Sequence, residues 1–284
     1  MSIRGMEEQK MRDDRVDELL ECSLSHSVKG ASSPSQAISG NADGPAFVLV
    51  HGAWHGGWCW ARVARELQMR GHRVYTPTLT GVGDRSHMLS PAIGLEHHIQ
   101  DVVNLIRWEG LDSVVLCGHS YGGMVITGVV ERLASAPKAI VYLDAFLPKS
   151  GEALVDILGD EVWSNLKSHL VVDERGGISA PPASMFVVNA KDESWVDMQC
   201  TPHPLATFLD SLPSTAAHEQ VRRKVYVLAG AYGPPSLVAI AEARRNRSDW
   251  LVYELPFGHD LMLDAPMQVT DILLEAAGER LNSA

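Results

Sequence analysis

The 284-residue sequence has no run of about 18 apolar residues, the length a helix needs to cross a bilayer, so no membrane partner is expected. It also lacks an excess of positive charge. With 24 basic and 35 acidic residues the formal charge is −11, the wrong sign for a nucleic-acid footprint. No CxxC pair occurs, and Cys22, Cys59, Cys117 and Cys200 are far apart. They read as reduced thiols, not as a disulfide or zinc framework, and no metal is expected. Residues 1–27 are too charged for a signal-peptide core. The expected location is the cytoplasm.

What is present divides the chain. Residues 1–45 read as an N-terminal extension, with a short helix over Glu7 to Leu24 and a linker rich in Ser, Gly, Ala and Asn after it. The helix is a candidate oligomer contact, so the sequence allows a homodimer. From Ala46 onward, short β-branched runs alternate with amphipathic segments. The runs are FVLV (47–50), RVYTP (73–77), SVVLC (113–117), AIVYLD (139–144), KVYVLA (224–229) and WLVYEL (250–255). Between them, Leu95, Ile99, Val102, Val103 and Ile106 share one side of a helix. Strands apolar on both faces, separated by helices, imply an α/β fold with a mostly parallel central sheet covered on both sides. The alternation stops between Pro148 and about Leu212. Residues 148–212 therefore read as an inserted helical cap over a core built from 46–147 and 213–284.

The chemistry concentrates in Gly118-His119-Ser120-Tyr121-Gly122, between a predicted strand and a predicted helix. A residue at the tip of a tight strand-to-helix turn has an unusual backbone, and its flanks come too close for side chains. Glycines relieve the clash and leave a serine hydroxyl exposed above the sheet. Ser120 also begins a helix, where free N–H groups favour a developing oxyanion. Earlier, the strand at 47–50 runs into His51-Gly52-Ala53-Trp54. That loop can bring the Ala53 N–H beside the Tyr121 N–H as a two-donor oxyanion hole. His51 reads as structural. The base is expected on a loop after the last strand, where Phe257-Gly258-His259-Asp260 follows WLVYEL directly. His259 is better placed than His87, His97, His98, His169, His203 or His218.

FVLVHGAWHGGWCW, GHSYGG and PFGHDLML together resemble the α/β-hydrolase superfamily, specifically the branch that contains plant methylesterases, hydroxynitrile lyases and bacterial esterase relatives. The likeness covers roughly residues 46 to 280. It implies hydrolysis of small esters through an acyl-enzyme, without a cofactor. One feature departs from this branch, whose carboxylate usually follows the strand matching 224–229. Here Gly230-Ala231-Tyr232-Gly233-Pro234-Pro235-Ser236 contains no acid. An imidazolium forming beside a serine still needs an acceptor. Asp144, at the end of AIVYLD, is the replacement at the same sheet edge, a place some α/β-hydrolases use. Asp144 as a cap of the following segment, and Asp260 as the acid, stay open alternatives.

The expected catalytic set is therefore Ser120, His259 and Asp144, with Ala53 and Tyr121 as oxyanion donors. Trp54, Tyr121, Trp163, Met185 and Phe186 are the candidate pocket residues, suited to a small-molecule ester with a hydrophobic or aromatic group. Two rival classes remain: a non-hydrolytic member of the fold (a cyanohydrin lyase or cofactor-free oxygenase) and a binding protein that has lost turnover. A lyase of this type carries a lysine after the histidine, where this chain has Asp260.

Overall fold

The computed structural model describes residues 44–169 and 171–279. The N-terminal extension expected over residues 1–45, with its helix, lies almost wholly outside the described residues, as does Cys22. The β-branched runs form β1 (Ala46–Val50), β2 (Val74–Tyr75), β3 (Val114–His119) and β4 (Ala139–Leu143). Two short strands follow, β5 (Gly177–Ile178) and β6 (His203–Pro204), and then β7 (Lys224–Ala229) and β8 (Trp250–Leu255).

One six-stranded sheet has the order β2-β1-β3-β4-β7-β8, with every neighbouring pair parallel. The chain leaves β1 toward one edge to make β2, then returns to the other side of β1 to make β3. Loops diverge from the carboxyl ends of β1 and β3, which is where open α/β sheets hold ligands. Alternate residues of β1 feed opposite cores. Ala46, Val48 and Val50 join one cluster, Phe47 and Leu49 the other, as a pleat with period two requires.

The helices are α1 (Ala61–Met69), α2 (Leu95–Trp108), α3 (Gly122–Val130), α4 (Leu154–Leu158), α5 (Asp160–His169) and α6 (Glu193–Gln199). After them come α7 (Ala206–Leu209), α8 (Ala216–Glu219), α9 (Pro235–Arg245), α10 (Leu261–Asp264) and α11 (Pro266–Ala277). α2, α3 and α9 cover one face of the sheet, and α1 and α11 the other. α3 is buried along its whole length, so its apolar residues run all the way round.

Two strands differ from the sequence reading. RVYTP pairs only through Val74 and Tyr75, since Pro77 has no N–H to extend the ladder. WLVYEL is the far edge strand, and Leu251 on it is about half exposed. Between β4 and β7 the chain makes α4 to α8 and also β5 and β6, which pair with each other antiparallel, apart from the central sheet. Two-residue strands leave no periodicity for a sequence reading to find.

Candidate active site

Ser120 sits between the end of β3 and the start of α3 with φ +52°. That left-handed conformation is disfavoured for any residue with a Cβ. The surroundings leave no room for larger flanks. A Cβ on Gly118 would lie 2.5 Å from the Gly122 carbonyl oxygen, and one on Gly122 would lie 2.8 Å from the oxygens of both Val50 and His51. Neighbouring strands hold the turn. Ser120 N–H donates to Leu143 O at 3.2 Å, and Phe146 N–H donates to Ser120 O at 3.1 Å. Among the described residues, the non-glycine positions with positive φ are Trp54, Ser120, Asp144 and Val187. All four border this one place, and backbone strain gathers where function demands a fixed geometry.

His259 comes from the loop between β8 and α10. Its Nδ1–H donates to Asp144 Oδ2 at 2.6 Å, and Asp144 is fully buried. The other carboxylate oxygen, Oδ1, accepts the Ala229 N–H at 2.9 Å. Both oxygens of a buried carboxylate thus have donors. With Nδ1 donating, the imidazole carries its lone pair on Nε2, the atom a base needs. Among the described residues Nε2 has no hydrogen-bond partner. The loop is held by the 183–187 segment, where His259 N–H donates to Phe186 O at 2.9 Å.

The Ala53 and Tyr121 N–H groups likewise have no acceptor among the described residues. The loop carrying Ala53 passes close to the serine, since a Cβ on Gly52 would lie 2.9 Å from Ser120 Cβ. Its shape is fixed on both sides. His51 accepts the Leu79 N–H at Nε2 (3.0 Å) and donates from Nδ1 to Gly52 O (2.7 Å), so it is structural. Trp54, at φ +65°, donates its N–H to His203 Nδ1 (3.3 Å) and its indole N–H to Ile178 O (3.0 Å). Burial pushes the His51 ring down to about 3, keeping it neutral.

Tyr121 points away from the serine. Its hydroxyl donates to His98 Nδ1 at 2.9 Å, and His98 donates from Nε2 to Thr80 O at 2.8 Å. Burial lowers His98 to about 4 and holds the Tyr121 phenol well above its usual range. This chain of hydrogen bonds is charge-free and locks the residue whose N–H borders Ser120.

Of the expected pocket residues, Trp54 and Phe186 come together, whereas Tyr121 is fully buried behind them. Phe186 lies 6.0 Å from Trp54 and 5.6 Å from His259, measured between ring centroids. Tyr121 meets His203 at 4.9 Å and Phe208 at 5.9 Å. Trp163 is half-buried against the core and is not among the rings that meet here. Met185 is 60% exposed. Sequence reasoning missed His203, Phe208 and Tyr232, which complete the aromatic wall. The Tyr232 ring packs 4.5 Å from that of His259. It stands in the acid-free loop after β7, which was the available signal. Among the described residues, no group of three His, Cys, Asp or Glu side chains is arranged to hold a metal ion.

Residues 47–272 match the Alpha/beta hydrolase family. A carbendazim hydrolyzing esterase from a Nocardioides strain is 41% identical over 80% of this chain and 97% of its own length. Methylesterase 10 of Arabidopsis thaliana is 26% identical over 82% of this chain and 92% of its own. A solved extracellular alpha/beta-hydrolase from a Paenibacillus species is similar in fold, with a TM-score of 0.69 at 24% identity over 82% of this chain and 98% of that one.

Proposed function

We propose that this chain, which belongs to the alpha/beta hydrolase family and is a carboxylesterase-type enzyme, cleaves small hydrophobic or aromatic carboxylic esters through an acyl-enzyme on Ser120. The single observation that carries the reading is the His259–Asp144 hydrogen bond of 2.6 Å beside a strained serine turn. It orients an imidazole whose free nitrogen can take the serine proton.

The steps follow from the residues. An ester carbonyl sits with its oxygen toward the N–H groups of Ala53 and Tyr121. Ser120 Oγ attacks the carbonyl carbon as its proton passes to His259 Nε2, and the imidazolium is offset by Asp144. The alkoxide leaves with that proton as the carbonyl re-forms. Water then attacks the acyl-enzyme, again losing its proton to Nε2, and releases the acid and the serine. Preorganised amides at the oxyanion are worth about 3 kcal/mol each in comparable sites.

Residues 148–212 act as the cap of this site over a core of 46–147 and 213–284. Phe186 and Val187 from that segment bear on the His259 loop, which supports the assignment. The aromatic wall of Trp54, Phe186, Phe208 and Tyr232 favours an aryl or alkyl group over a polyol or a phosphate. The relative's carbendazim makes that compound a natural member of a test panel. A cytoplasmic location fits the free thiols Cys59, Cys117 and Cys200.

The test is a panel of aryl, alkyl and lactone esters with carbendazim, assayed with wild type and Ser120→Ala. Turnover of hydrophobic esters that vanishes in Ser120→Ala supports the reading. A panel left untouched by wild type, or cleaved equally by the variant, contradicts it.

A further inference from the structure

Directly behind His259 lies a second carboxylate, Asp260, fully buried, for which the triad has no use. Its Oδ2 lies 3.0 Å from His55 Nε2, although the two residues are 205 positions apart. The other nitrogen of His55, Nδ1, lies 2.8 Å from the Ala53 carbonyl oxygen. A carbonyl oxygen and an ionised carboxylate can only accept. Both nitrogens of His55 must therefore donate, and a ring that donates twice is an imidazolium.

The other buried histidines of this region do not share that pattern. His51, His98 and His203 each accept at one nitrogen and donate at the other. His119 has its Nε2 3.0 Å from the His259 carbonyl and no partner at Nδ1. The His55 ring also lies flat on Trp58, with centroids 5.0 Å apart and planes 20° from parallel, an arrangement that suits a cation.

We propose that His55 is the protonated partner of Asp260, and that this buried ion pair is a positioning element. It ties the loop bearing the Ala53 oxyanion amide to the loop bearing the base, and it cancels a carboxylate charge close to the reacting atoms. The catalytic part of the proposal rests on the reading of Ser120 and His259 given above.

The charge balance makes the argument. Burial alone would depress His55, but the charge and hydrogen bond of Asp260 outweigh it and raise the ring above its usual value. Burial alone would raise the Asp260 carboxyl, and His55 outweighs that in turn. The groups facing the pair from other elements are neutral. Burial lifts Cys59 well above its usual range and pushes Cys200 and Tyr232 to about 12, while His119, His51 and His203 are depressed by burial. The remaining charges at the site are Asp144 and whatever His259 carries. An unpaired Asp260 would add a negative charge beside the oxyanion, which it would repel, and beside His259, whose protonated form it would favour. A smaller fraction of His259 would then be free to accept a proton at a given pH.

Proton NMR with 15N labelling reads the first half without any substrate. At pH 8 wild type should show two ring N–H signals for one histidine, both lost in His55→Gln. In Asp260→Asn one of them should disappear, because an amide N–H can donate to a neutral ring. The second half is read from kcat/KM against pH. His55→Gln should move the acid limb up by about one pH unit, which is about tenfold at the limb. The double variant His55→Gln/Asp260→Asn, with no net charge left, should return the limb to the wild-type position. A loss of packing alone would lower the rate without moving the limb, and the double variant would not rescue it. A single ring N–H at pH 8 in wild type overturns the ion pair. An unmoved limb in His55→Gln, or no recovery in the double variant, overturns its role. A wild type inactive on every ester would overturn the esterase reading while leaving the NMR result standing.

Discussion

Asp144 reaches His259 across 115 positions of sequence through a 2.6 Å hydrogen bond, and it does so from a residue with φ +43° at the end of β4. Asp144 stands one strand inward from the acid-free loop after β7. The order along the chain is still serine, acid, histidine. That loop carries Tyr232, whose ring packs 4.5 Å from that of His259.

If that carboxylate orients the base, Asp144→Asn should lower kcat roughly 10⁴-fold with little change in KM, the size of loss found when a serine-protease triad loses its acid. Steady-state kinetics on a good aryl ester would check it. Near-normal turnover would exclude Asp144 as the acid.

The segment around Phe186 holds the His259 loop in place. A methyl on Gly258 would lie 1.9 Å from the Val187 carbonyl oxygen. Gly258→Ala must shift either the 183–187 segment or His259 itself. Displacement of about 1 Å is enough to cost about 100-fold in rate, so kcat should fall by that order while thermal melting drops only modestly. A variant with kcat within twofold of wild type would mean that the segment yields without disturbing the histidine.

The buried histidines set an acid limit on stability. His51, His98, His119 and His203 are all depressed by burial, His51 to about 3 and His98 to about 4. An unfolded imidazole titrates near 6.5, so below that pH the unfolded chain binds protons that the folded one refuses. Stability should be full above about pH 6.5 and fall toward pH 4, by up to about 1.4 kcal/mol per histidine per pH unit. His55 is raised instead, so its contribution is complete below about pH 6.5 and is lost only on the alkaline side. Urea midpoints at pH 7, 6 and 5 measure the slope. A flat profile would contradict neutral burial of these rings.

Much of this was legible in the sequence because it is local. Apolar runs read as strands since both faces of the inner strands are covered. The serine turn declares itself by glycines at fixed offsets, and Asp144 by an acid that ends an apolar strand. What could not be read was contact between distant loops. Nothing near His55 says that it meets Asp260, and nothing near His203 says that it takes the Trp54 N–H. Those pairs exist only once the sheet has brought the loops after β1 and β8 to the same edge as the 148–212 segment. Met185 and Phe186 are adjacent, and only the fold decides that one faces the site and the other is 60% exposed.

The central claim is that Ser120 Oγ becomes the acyl carrier. Incubation with an aryl fluorophosphonate, followed by intact-mass measurement and peptide mapping, tests it most directly. The account predicts a single adduct on Ser120 in wild type, slow labelling in His259→Ala and none in Ser120→Ala. An unlabelled wild type that still hydrolyses esters, or an adduct on another residue, would contradict it.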